Sequence, residues 1–420
     1  MSALFLGIDI GTSGVRAIAI DAAQAVAAQA SARMADFSSD HRDPAGWRGA
    51  LHSALSGLFA QVAPGRIAAL SVDGTSGTML AIDARGEPVA SPLMYNDPVD
   101  DDAIVAAIAA AAPADSAALG RNSALARAIA LQNAPGAVRI VHQADWIAGQ
   151  FSGRFDISDE NNALKTGYDP VARRWPGWIV ATGMKSAMLP QVVAPGTVTG
   201  RAQAEFAREF GLDAGCAVVA GTTDGCASFI ATGASQPGEA VTALGTTLTL
   251  KLLSDAPLNA PQYGLYSHRL GDRWLAGGAS NSGGGALAAH FPPAEIETLS
   301  ARIDPERPTG LDFYPLPKPG ERFPINDPNL ASRIAPRPAD DAVFLQALLE
   351  GVAGVEALGY ARLAELGAPP LKNVRSVGGG AHNRAFTAIR ARRLGVPFAP
   401  ALSEEAAFGA ALLALQGFSA

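Results

Sequence analysis

The chain has 420 residues, of which 48% are apolar and 17% charged, with a formal net charge of −7. This length favours two globular domains, and the composition excludes a disordered or fibrous protein. The sequence has no stripe of basic residues of the kind that binds nucleic acid. The two cysteines, Cys216 and Cys226, lack the accompanying His or Cys residues that a zinc site needs, and they are expected to stay reduced.

The first predicted elements form a β-hairpin. Apolar runs at residues 4–8 and 15–20 flank a glycine turn at 11–14, and a third strand is predicted over 26–30. The N-terminal apolar run has no preceding Lys or Arg, so we interpret it as a strand rather than a signal peptide. The longest apolar run, 103–112, is shorter than the roughly 20 residues of a membrane span. A soluble, cytoplasmic protein is expected.

Helices and strands then alternate. Trp47, Leu51, Leu55 and Leu58 share one face of a helix predicted over 47–59. Further strands are predicted at 67–72, 78–82 and 218–220, and helices at 103–112, 125–132 and 226–232.

A second hairpin is predicted in the other half of the chain. Its strands cover 240–244 and 248–253, around a turn at 245–247, with a third strand at 274–279. A long helix at 344–366, a strand at 374–377 and a final helix at 404–415 follow, and residues 305–338 are predicted to form a long ordered loop. Because the hairpin of residues 4–20 recurs here, the sequence predicts two related α/β domains joined near residue 232.

The first motif places a carboxylate, Asp9, at the end of a buried strand, before the turn Gly11-Thr12-Ser13. Glycine lets the backbone approach a phosphate closely, and the N–H and hydroxyl groups can donate to its oxygens. Asp9 suits Mg²⁺, which binds few carboxylates and keeps several waters. The alternative interpretation is an ordinary hairpin turn whose hydroxyls satisfy the backbone.

The second motif is the segment 221–225, in which Asp224 stands between a strand and a helix. As a functional group, Asp224 would orient an attacking hydroxyl and accept its proton, and phosphoryl transfer needs positioning more than a strong base. The alternative is a helix N-cap, a position that Asp favours.

The third motif comprises the glycines at 378–380 and Asn383, between a strand and a helix. Such glycines expose backbone to a flat ligand or a phosphate. The pattern is not a dinucleotide fingerprint, because Asn383 replaces the third glycine. Here the alternative is a tight connection in which Asn383 caps the following helix.

Two polar clusters complete the candidates. Asp73 and Ser76 follow one predicted strand, and Tyr95, Asn96 and Asp97 lie in a polar loop. These side chains suit a ligand with several hydroxyl groups, although turns use the same residues. The sequence has no Walker A, nucleophile-elbow, HExxH or CxxC motif, which argues against a P-loop kinase, a triad hydrolase and a zinc site.

Taken in order, these motifs resemble the FGGY carbohydrate kinases, which belong to the actin-like, ribonuclease-H-like ATPase superfamily. The matching segments are Asp9-Ile10-Gly11-Thr12-Ser13, Gly221-Thr222-Thr223-Asp224, Gly245-Thr246-Thr247, Gly378-Gly379-Gly380 with Asn383, and Glu404-Glu405-Ala406-Ala407-Phe408-Gly409-Ala410-Ala411. Within the family, the stretches 73–78, 92–96, 143–146, 162–168, 314–317 and 320–324 resemble the short plant and cyanobacterial D-ribulose kinases, some of them described as xylulokinase-like.

The resemblance implies an α/β fold of two ribonuclease-H-like domains flanking a nucleotide and sugar cleft. The N-terminal domain, residues 1–231 plus 405–420, would bind sugar and phosphate, and the C-terminal domain, residues 232–404, would bind the adenine nucleotide. The implied activity is ATP-dependent phosphorylation of a ketopentose, with Mg²⁺ and without nucleic-acid or membrane partners. Whether the chain forms a homodimer is left open.

The resemblance also implies a role for each motif. Asp224 falls on the family's catalytic aspartate, and Asp9 and Asp224 would hold the metal. The implied sugar contacts are Asp9, Ser76, Asp97 and Asp224. The implied nucleotide contacts are Gly11, Thr12, Ser13, Gly245, Thr246, Thr247, Gly379, Gly380 and Asn383.

The sugar itself is a finer prediction. Typical xylulokinases carry W-x-D-x-R near residue 97, and this chain keeps Asp97 but lacks the Trp and the Arg. By analogy this favours D-ribulose, phosphorylated to D-ribulose 5-phosphate. The alternatives are D-xylulose, another FGGY sugar or polyol substrate, or, in a different functional class, an actin-like ATP-dependent switch.

Overall fold

The structure is a computed structural model that describes residues 2–419. Its strands, in chain order, are β1 (Leu4–Ile10), β2 (Gly14–Ile20), β3 (Val26–Arg33), β4 (Ile67–Gly74), β5 (Met79–Ile82), β6 (Arg139–His142), β7 (Ile157–Asp159), β8 (Gln191–Val193), β9 (Val198–Arg201), β10 (Ala217–Val219), β11 (Glu239–Leu244), β12 (Leu248–Ser254), β13 (His268–Leu270), β14 (Arg273–Ser280) and β15 (Asn373–Val377).

The helices, in the same order, are α1 (Pro44–Phe59), α2 (Asp102–Ala111), α3 (Ala124–Leu131), α4 (Gln143–Ser152), α5 (Glu160–Lys165), α6 (Trp178–Ala181), α7 (Ala204–Phe210), α8 (Asp224–Ala231), α9 (Gly284–Ala288), α10 (Pro293–Ser300), α11 (Asp341–Glu365), α12 (Arg384–Leu394) and α13 (Ala406–Ser419). The chain divides into two compact units. Unit 1 comprises residues 2–231, 268–271 and 405–419, and unit 2 comprises residues 232–267 and 272–404.

The main sheet of unit 1 has the strand order β3-β2-β1-β4-β10-β9. The hairpin strands β1 and β2 are antiparallel, as are β2 and β3, whereas β4 is parallel to both β1 and β10. Because parallel strands end at the same edge of a sheet, the segments after β1, β4 and β10 meet there. The predicted face of α1 is confirmed: Trp47, Leu51, Leu55 and Leu58 are all buried in the core below the sheet.

The sheet of unit 2 repeats this pattern. β11 and β12 form an antiparallel hairpin, β14 is antiparallel to β12, and β15 is parallel to β11. The order β14-β12-β11-β15 therefore corresponds to β3-β2-β1-β4. The predicted recurrence of the first hairpin in the second half of the chain is confirmed, and it extends to four strands.

The long helix α11 forms the centre of the unit 2 core. It begins after Asp340, whose side chain accepts a hydrogen bond from the Ala342 N–H, and buries Phe344, Leu348 and Val352. Within the part of the chain described, α11 is the single helix long and apolar enough to cross a membrane, and 72% of its most apolar stretch is buried inside the protein. This burial is typical of a core helix.

Residues 305–338 contain no helix or strand, as predicted for a long ordered loop. Short elements that the sequence did not predict lie mainly between residues 139 and 212, and α9 and α10 were also missed. The helix predicted to follow Asn383 is present as α12, although its bounds were not predicted. The two cysteines, Cys216 and Cys226, are both buried, and no disulfide joins them. Burial raises the pKa of the Cys216 thiol to about 12, so this thiol is unreactive at neutral pH.

Glycines bring α8, α13 and β1 into direct backbone contact. A Cβ on Gly7 of β1 would lie 1.8 Å from the Ala407 carbonyl oxygen of α13, and a Cβ on Gly409 of α13 would lie 2.0 Å from the Ala227 carbonyl oxygen of α8. Both distances are far below van der Waals contact, so neither position can accept a residue larger than glycine unless the backbones move. Since α8 begins at Asp224, this packing sets the position of that carboxylate.

Replacing Gly409 with alanine is therefore expected to destabilise unit 1 by about 1–3 kcal/mol, because the added methyl must push two backbones apart. Chemical denaturation measures the loss. The matched control is Gly354→Ala in α11, where a Cβ meets no atom within 4 Å; there the substitution should stabilise the helix by about 0.5–1 kcal/mol. Equal stability of Gly409→Ala and wild type would contradict the packing argument.

Candidate active site

Three carboxyl groups meet at one edge of the unit 1 sheet. Asp9, on β1, pairs in register with Asp73 on the parallel strand β4. Thr223, just after β10, bridges to Gly74, which places Asp224 at the same edge. Asp9 and Asp73 are 7% and 0% exposed, whereas Asp224 is only partly buried. The predicted convergence of Asp9 and Asp224 is therefore present, with Asp73 as an unpredicted third member.

The electrostatics of this carboxyl cluster follow from its burial. Burial raises the pKa of Asp9, and the nearby Asp224 charge adds to that effect, while Arg16 opposes it. The pKa of Asp73 is raised well above its usual range by burial and then by the charges of Asp9 and Asp224. These effects favour the neutral form of Asp73, and neither of its carboxyl oxygens has a hydrogen-bond partner among the described residues.

One cation approaches the cluster. Arg16, on β2, donates from Nη1 to Asp9 Oδ2 over 3.3 Å, and its Nε lies 3.4 Å from a carboxylate oxygen of Glu405. Arg16 is itself 43% exposed, so it offsets only part of the negative charge. A site with three carboxyl groups and one partly screened cation favours a positively charged ligand such as a metal ion.

The predicted phosphate turn joins β1 and β2. The Gly11 N–H donates to the Gly14 carbonyl over 3.0 Å, which closes a tight turn, and the Ser13 carbonyl accepts from the Met34 N–H. Thr12 and Ser13 are exposed, so their hydroxyl groups are accessible to a ligand. The turn directly follows Asp9, which places these donors beside the carboxyl cluster.

Two buried polar atoms near the end of β4 have no hydrogen-bond partner among the described residues. Gln143 accepts two hydrogen bonds from Thr75 through Oε1, at 3.3 Å from the backbone N–H and 2.6 Å from the hydroxyl. Its Nε2 and the Ser76 Oγ have no hydrogen-bond partner among the described residues. Because buried polar atoms in folded proteins are almost always paired, these atoms indicate a polar ligand or ordered water beside Asp73.

Asp97 lies on a loop that is fixed by two arginines. Arg42 forms a bidentate pair with its carboxylate, with Nε 3.0 Å from Oδ2 and Nη2 2.6 Å from Oδ1, and this pairing lowers the pKa of Asp97. Oδ2 also accepts from the Met94 N–H. The guanidinium group that the sequence lacks just after Asp97 is therefore supplied from 55 residues upstream.

The second arginine, Arg127 on α3, connects this loop to the Ser76 segment. Its side chain is 2% exposed and donates to the Gly77 carbonyl from Nε and to the Asp97 carbonyl from Nη1, both over 2.9 Å. Burial lowers the pKa of Arg127 to about 10, which still leaves the group charged at neutral pH. Arg127 thus holds two predicted sugar-contact segments at a fixed separation.

In unit 2 the predicted second phosphate turn, Gly245-Thr246-Thr247, joins β11 to β12. The start of α9 packs on this turn: Gly284 N–H donates to the Gly245 carbonyl and Gly285 N–H to the Thr246 carbonyl, both over 2.9 Å. A Cβ on Gly284 would lie 2.8 Å from the Gly245 oxygen, so the contact requires glycine.

A cavity of about 900 Å³ opens beside this turn. Gly245, Thr246, Gly379, Gly380 and Asn383 all line it, which brings together five of the six predicted nucleotide contacts of unit 2. The remaining wall includes the apolar residues Leu244, Leu287, Ala288, Pro293, Ile296, Leu349, Val352 and Phe386, together with the polar side chains of Glu297, Ser300, His382 and Arg384. Thr247 is absent from the lining. An apolar cavity of this size beside a glycine turn suits a flat ring joined to a phosphate chain.

Asn383 has the structural role that the sequence left open. Its Oδ1 accepts from the Phe386 N–H over 3.0 Å, so it caps α12, and its Nδ2 donates to Ser300 Oγ over 2.8 Å. The helix is anchored by a fully buried ion pair between Arg390 and Glu356 of α11, with N–O distances of 2.6 and 2.7 Å. This anchor fixes the cavity wall formed by the start of α12.

The chain is similar to known carbohydrate kinases in sequence and in structure. Residues 240–417 match the model of the C-terminal domain of the FGGY family of carbohydrate kinases. An autoinducer-2 kinase from Yersinia enterocolitica is 27% identical over 303 residues, 64% of this chain and 55% of that protein. A xylulose kinase from Streptomyces coelicolor is 29% identical over 269 residues, 60% and 54% of the respective chains. The chain spans about half the length of the curated relatives it matches.

Solved structures cover the whole chain. A xyloylose kinase from Brucella ovis superimposes with a TM-score of 0.87 and 27% identity, covering 99% of this chain and 90% of that one. A xylulose kinase from Rhodospirillum rubrum superimposes with a TM-score of 0.83 over 98% and 89% of the chains, at 22% identity. These neighbours confirm the predicted two-domain, actin-like ATPase fold.

Proposed function

We propose that the chain is a carbohydrate kinase of the FGGY family, whose C-terminal domain model matches residues 240–417, and that it transfers the γ-phosphate of ATP to a hydroxyl group of a ketopentose. The observation that carries the proposal is the meeting of Asp9, Asp73 and Asp224 at one sheet edge, beside polar atoms that have no protein partner. Carboxyl groups and unpaired donors at one place suit a polyhydroxylated acceptor.

Asp224 is the proposed base. It is more exposed than Asp9 and Asp73, and its Oδ1 accepts from the Gly225 N–H over 2.6 Å, which holds the carboxylate in one orientation. In this role the carboxylate accepts a hydrogen bond from the acceptor hydroxyl and takes its proton as the oxygen attacks phosphorus. An aspartate of ordinary basicity is sufficient, because positioning dominates phosphoryl transfer.

The sugar is assigned to the polar segments of unit 1. Asp9 and Ser76 would contact its hydroxyl groups, with Asp97 held nearby by Arg42 and Arg127. Both Asp97 carboxylate oxygens already accept protein hydrogen bonds, so a sugar contact there must use their remaining lone pairs.

The nucleotide is assigned to the cavity of unit 2 and to both glycine turns. Gly379, Gly380 and Asn383 would bind adenosine, and Thr246 would bind phosphate oxygens beside Gly245. Thr247 and the turn Gly11-Thr12-Ser13 are assigned to phosphate on the strength of the family pattern.

Mg²⁺ fits the donor set of unit 1. Within residues 2–419 no group of three or more His, Cys, Asp or Glu side chains is placed to hold a metal ion by itself. This agrees with the preference of Mg²⁺ for one or two carboxylates plus phosphate oxygens and water. Asp9 and Asp224 would hold the ion; burial raises the pKa of Asp9, and the nearby Asp224 charge adds to this effect. When bound, the ion would neutralise charge on the transferring phosphate.

We further propose D-ribulose as the preferred acceptor, with D-xylulose as the competing substrate. Steady-state kinetics on a panel of ketopentoses and polyols at saturating ATP tests this choice. The expected result is the largest kcat/KM for D-ribulose. A higher value for D-xylulose, or for another polyol, would replace the sugar while keeping the reaction, and no activity with any acceptor would contradict the kinase proposal itself.

A further inference from the structure

Glu321 is a buried carboxylate in the irregular segment 305–338, and no role in the proposed reaction has yet been given to it. The residue is 2% exposed. Its Oε2 accepts from the Ser280 hydroxyl over 2.5 Å and from the Tyr314 hydroxyl over 2.9 Å, and its Oε1 accepts from the backbone N–H groups of Asn281 and Arg322 over 2.7 and 2.8 Å. Four donors therefore converge on one carboxylate.

Side chains around Glu321 reinforce the same connection. Asn281 Nδ2 donates to the Gly320 carbonyl over 2.9 Å, and Arg322 Nε donates to Asn281 Oδ1 over 2.8 Å. The residues on either side of Glu321 are thus tied to the segment that follows β14. Asn281 and Glu321 are 40 residues apart in the sequence, so the hydrogen bonds of this carboxylate hold the irregular segment against the end of β14.

A continuous hydrogen-bond path runs from Glu321 to the second phosphate turn. Ser280, held by Glu321, accepts from the Ser282 N–H over 3.0 Å, and the Ser282 carbonyl accepts from the Leu248 N–H over 2.8 Å. The next residues, Gly284 and Gly285, donate to the carbonyls of Gly245 and Thr246. Every link in the path lies within unit 2.

We propose that Glu321 is a positioning residue for the nucleotide: it holds the Ser280–Gly285 segment against the turn Gly245-Thr246-Thr247, and so keeps the phosphate donors of that turn in place. This inference rests on the proposed function, because it assumes that the turn binds nucleotide phosphate. Glu321 itself does not line the cavity and touches no proposed ligand.

A carboxylate suits this position because all four partners donate to it, two of them backbone N–H groups that can only donate. An amide in its place offers one acceptor oxygen and one NH2 group, and the NH2 group keeps its contacts only if the Ser280 and Tyr314 hydroxyls both turn to accept. Glu321→Gln therefore preserves the volume but removes the charge that strengthens all four hydrogen bonds, which weakens the anchor of the Ser280–Gly285 segment.

The experiment compares Glu321→Gln with Glu350→Gln by titration of ADP and of D-ribulose in the full chain. Glu350 is a matched control: it is a partly buried carboxylate on α11 that accepts from the N–H and hydroxyl of Thr309, in the same irregular segment as Glu321, and it lies outside the path. Glu321→Gln is expected to weaken ADP binding at least about tenfold, with sugar affinity unchanged, whereas Glu350→Gln should lower only the melting temperature.

The inference would be overturned if Glu321→Gln bound ADP as tightly as wild type. It would also be overturned if Glu321→Gln and Glu350→Gln lost ADP affinity equally, because that result would indicate general loosening of the irregular segment. If Glu321→Gln does not fold, Tyr314→Phe removes one hydrogen bond to the carboxylate, and Ser280→Ala removes both the bond to Glu321 and the bond from the Ser282 N–H. ADP binding should weaken by about threefold or more in each variant; unchanged affinity in both would overturn the inference. A wild-type protein that binds no ADP would contradict the proposed function together with this inference, whereas ADP binding that is insensitive to Glu321 contradicts the inference alone.

Discussion

Asp224→Ala is expected to lower kcat for sugar phosphorylation by about 10²–10⁴, the usual contribution of a positioned proton acceptor, while the fold remains intact. The carboxylate stands at the start of α8, where its Oδ1 accepts from the Gly225 N–H. Its charge raises the pKa of both Asp9 and Asp73, so its removal relieves repulsion within the cluster. A small or even favourable change in melting temperature is therefore expected.

Steady-state kinetics and thermal unfolding of the same preparations test this prediction. The control is Asp340→Ala, which also removes an aspartate at a helix start, since Asp340 caps α11 by accepting from the Ala342 N–H. That control should lose about 1 kcal/mol of stability and retain full turnover. Near-normal turnover in Asp224→Ala would remove Asp224 from the mechanism.

Gly379→Phe is expected to weaken nucleotide binding by more than about a hundredfold, since a filled cavity excludes the ligand altogether. Gly379 lines the cavity of unit 2, and a Cβ at this position meets no atom within 4 Å. The aromatic ring can therefore extend into open space without a clash against the protein. The variant should fold normally, because no packed atom has to move.

Calorimetric titration of ADP, with D-ribulose titrated in parallel, measures the effect. The matched control is Gly177→Phe in unit 1, another glycine whose Cβ meets no atom within 4 Å. Nucleotide affinity should be normal in the control, and sugar affinity should be normal in both variants. An ADP affinity of Gly379→Phe equal to that of wild type would show that the nucleotide lies elsewhere.

Local patterns in the sequence predicted both hairpins and their recurrence. Each hairpin combines two short apolar runs with a glycine turn, and this local pattern indicates a hairpin without information from the rest of the chain. The face of α1 was also predicted, because Trp47, Leu51, Leu55 and Leu58 recur at helical spacing and all four are buried. The long helix at 344–366 was predicted within about one turn of its observed bounds, Asp341–Glu365.

The helix α12 could not be predicted from hydrophobic periodicity. Its sequence contains four arginines, and one of them, Arg390, is fully buried because it pairs with Glu356 from α11. A buried charge breaks the apolar pattern that marks a core-facing helix, and the partner that makes burial tolerable is 34 residues away. The capping role of Asn383 was recognised as an alternative, and the structure shows that the side chain both caps α12 and lines the cavity.

Contacts between side chains that are far apart in the sequence were also not predicted, because these side chains meet only in the folded chain. Arg42 and Asp97 are 55 residues apart, and Arg127 reaches Gly77 across 50 residues. Asp73 was noted only as a member of a polar cluster, because its pairing with Asp9 depends on the register of β1 and β4. A predicted parallel pairing of those two strands would have identified it.

The central claim is that the carboxyl cluster of unit 1 directs phosphate from ATP onto a sugar hydroxyl. Phosphorus NMR of wild-type protein incubated with ATP, Mg²⁺ and D-ribulose tests this most directly. The account predicts a new phosphomonoester resonance that grows in step with ADP, and no consumption of ATP beyond a slow background when the ketose is left out. Release of inorganic phosphate at the same rate with and without ketose, and no sugar ester, would contradict it and would favour an ATP-dependent switch.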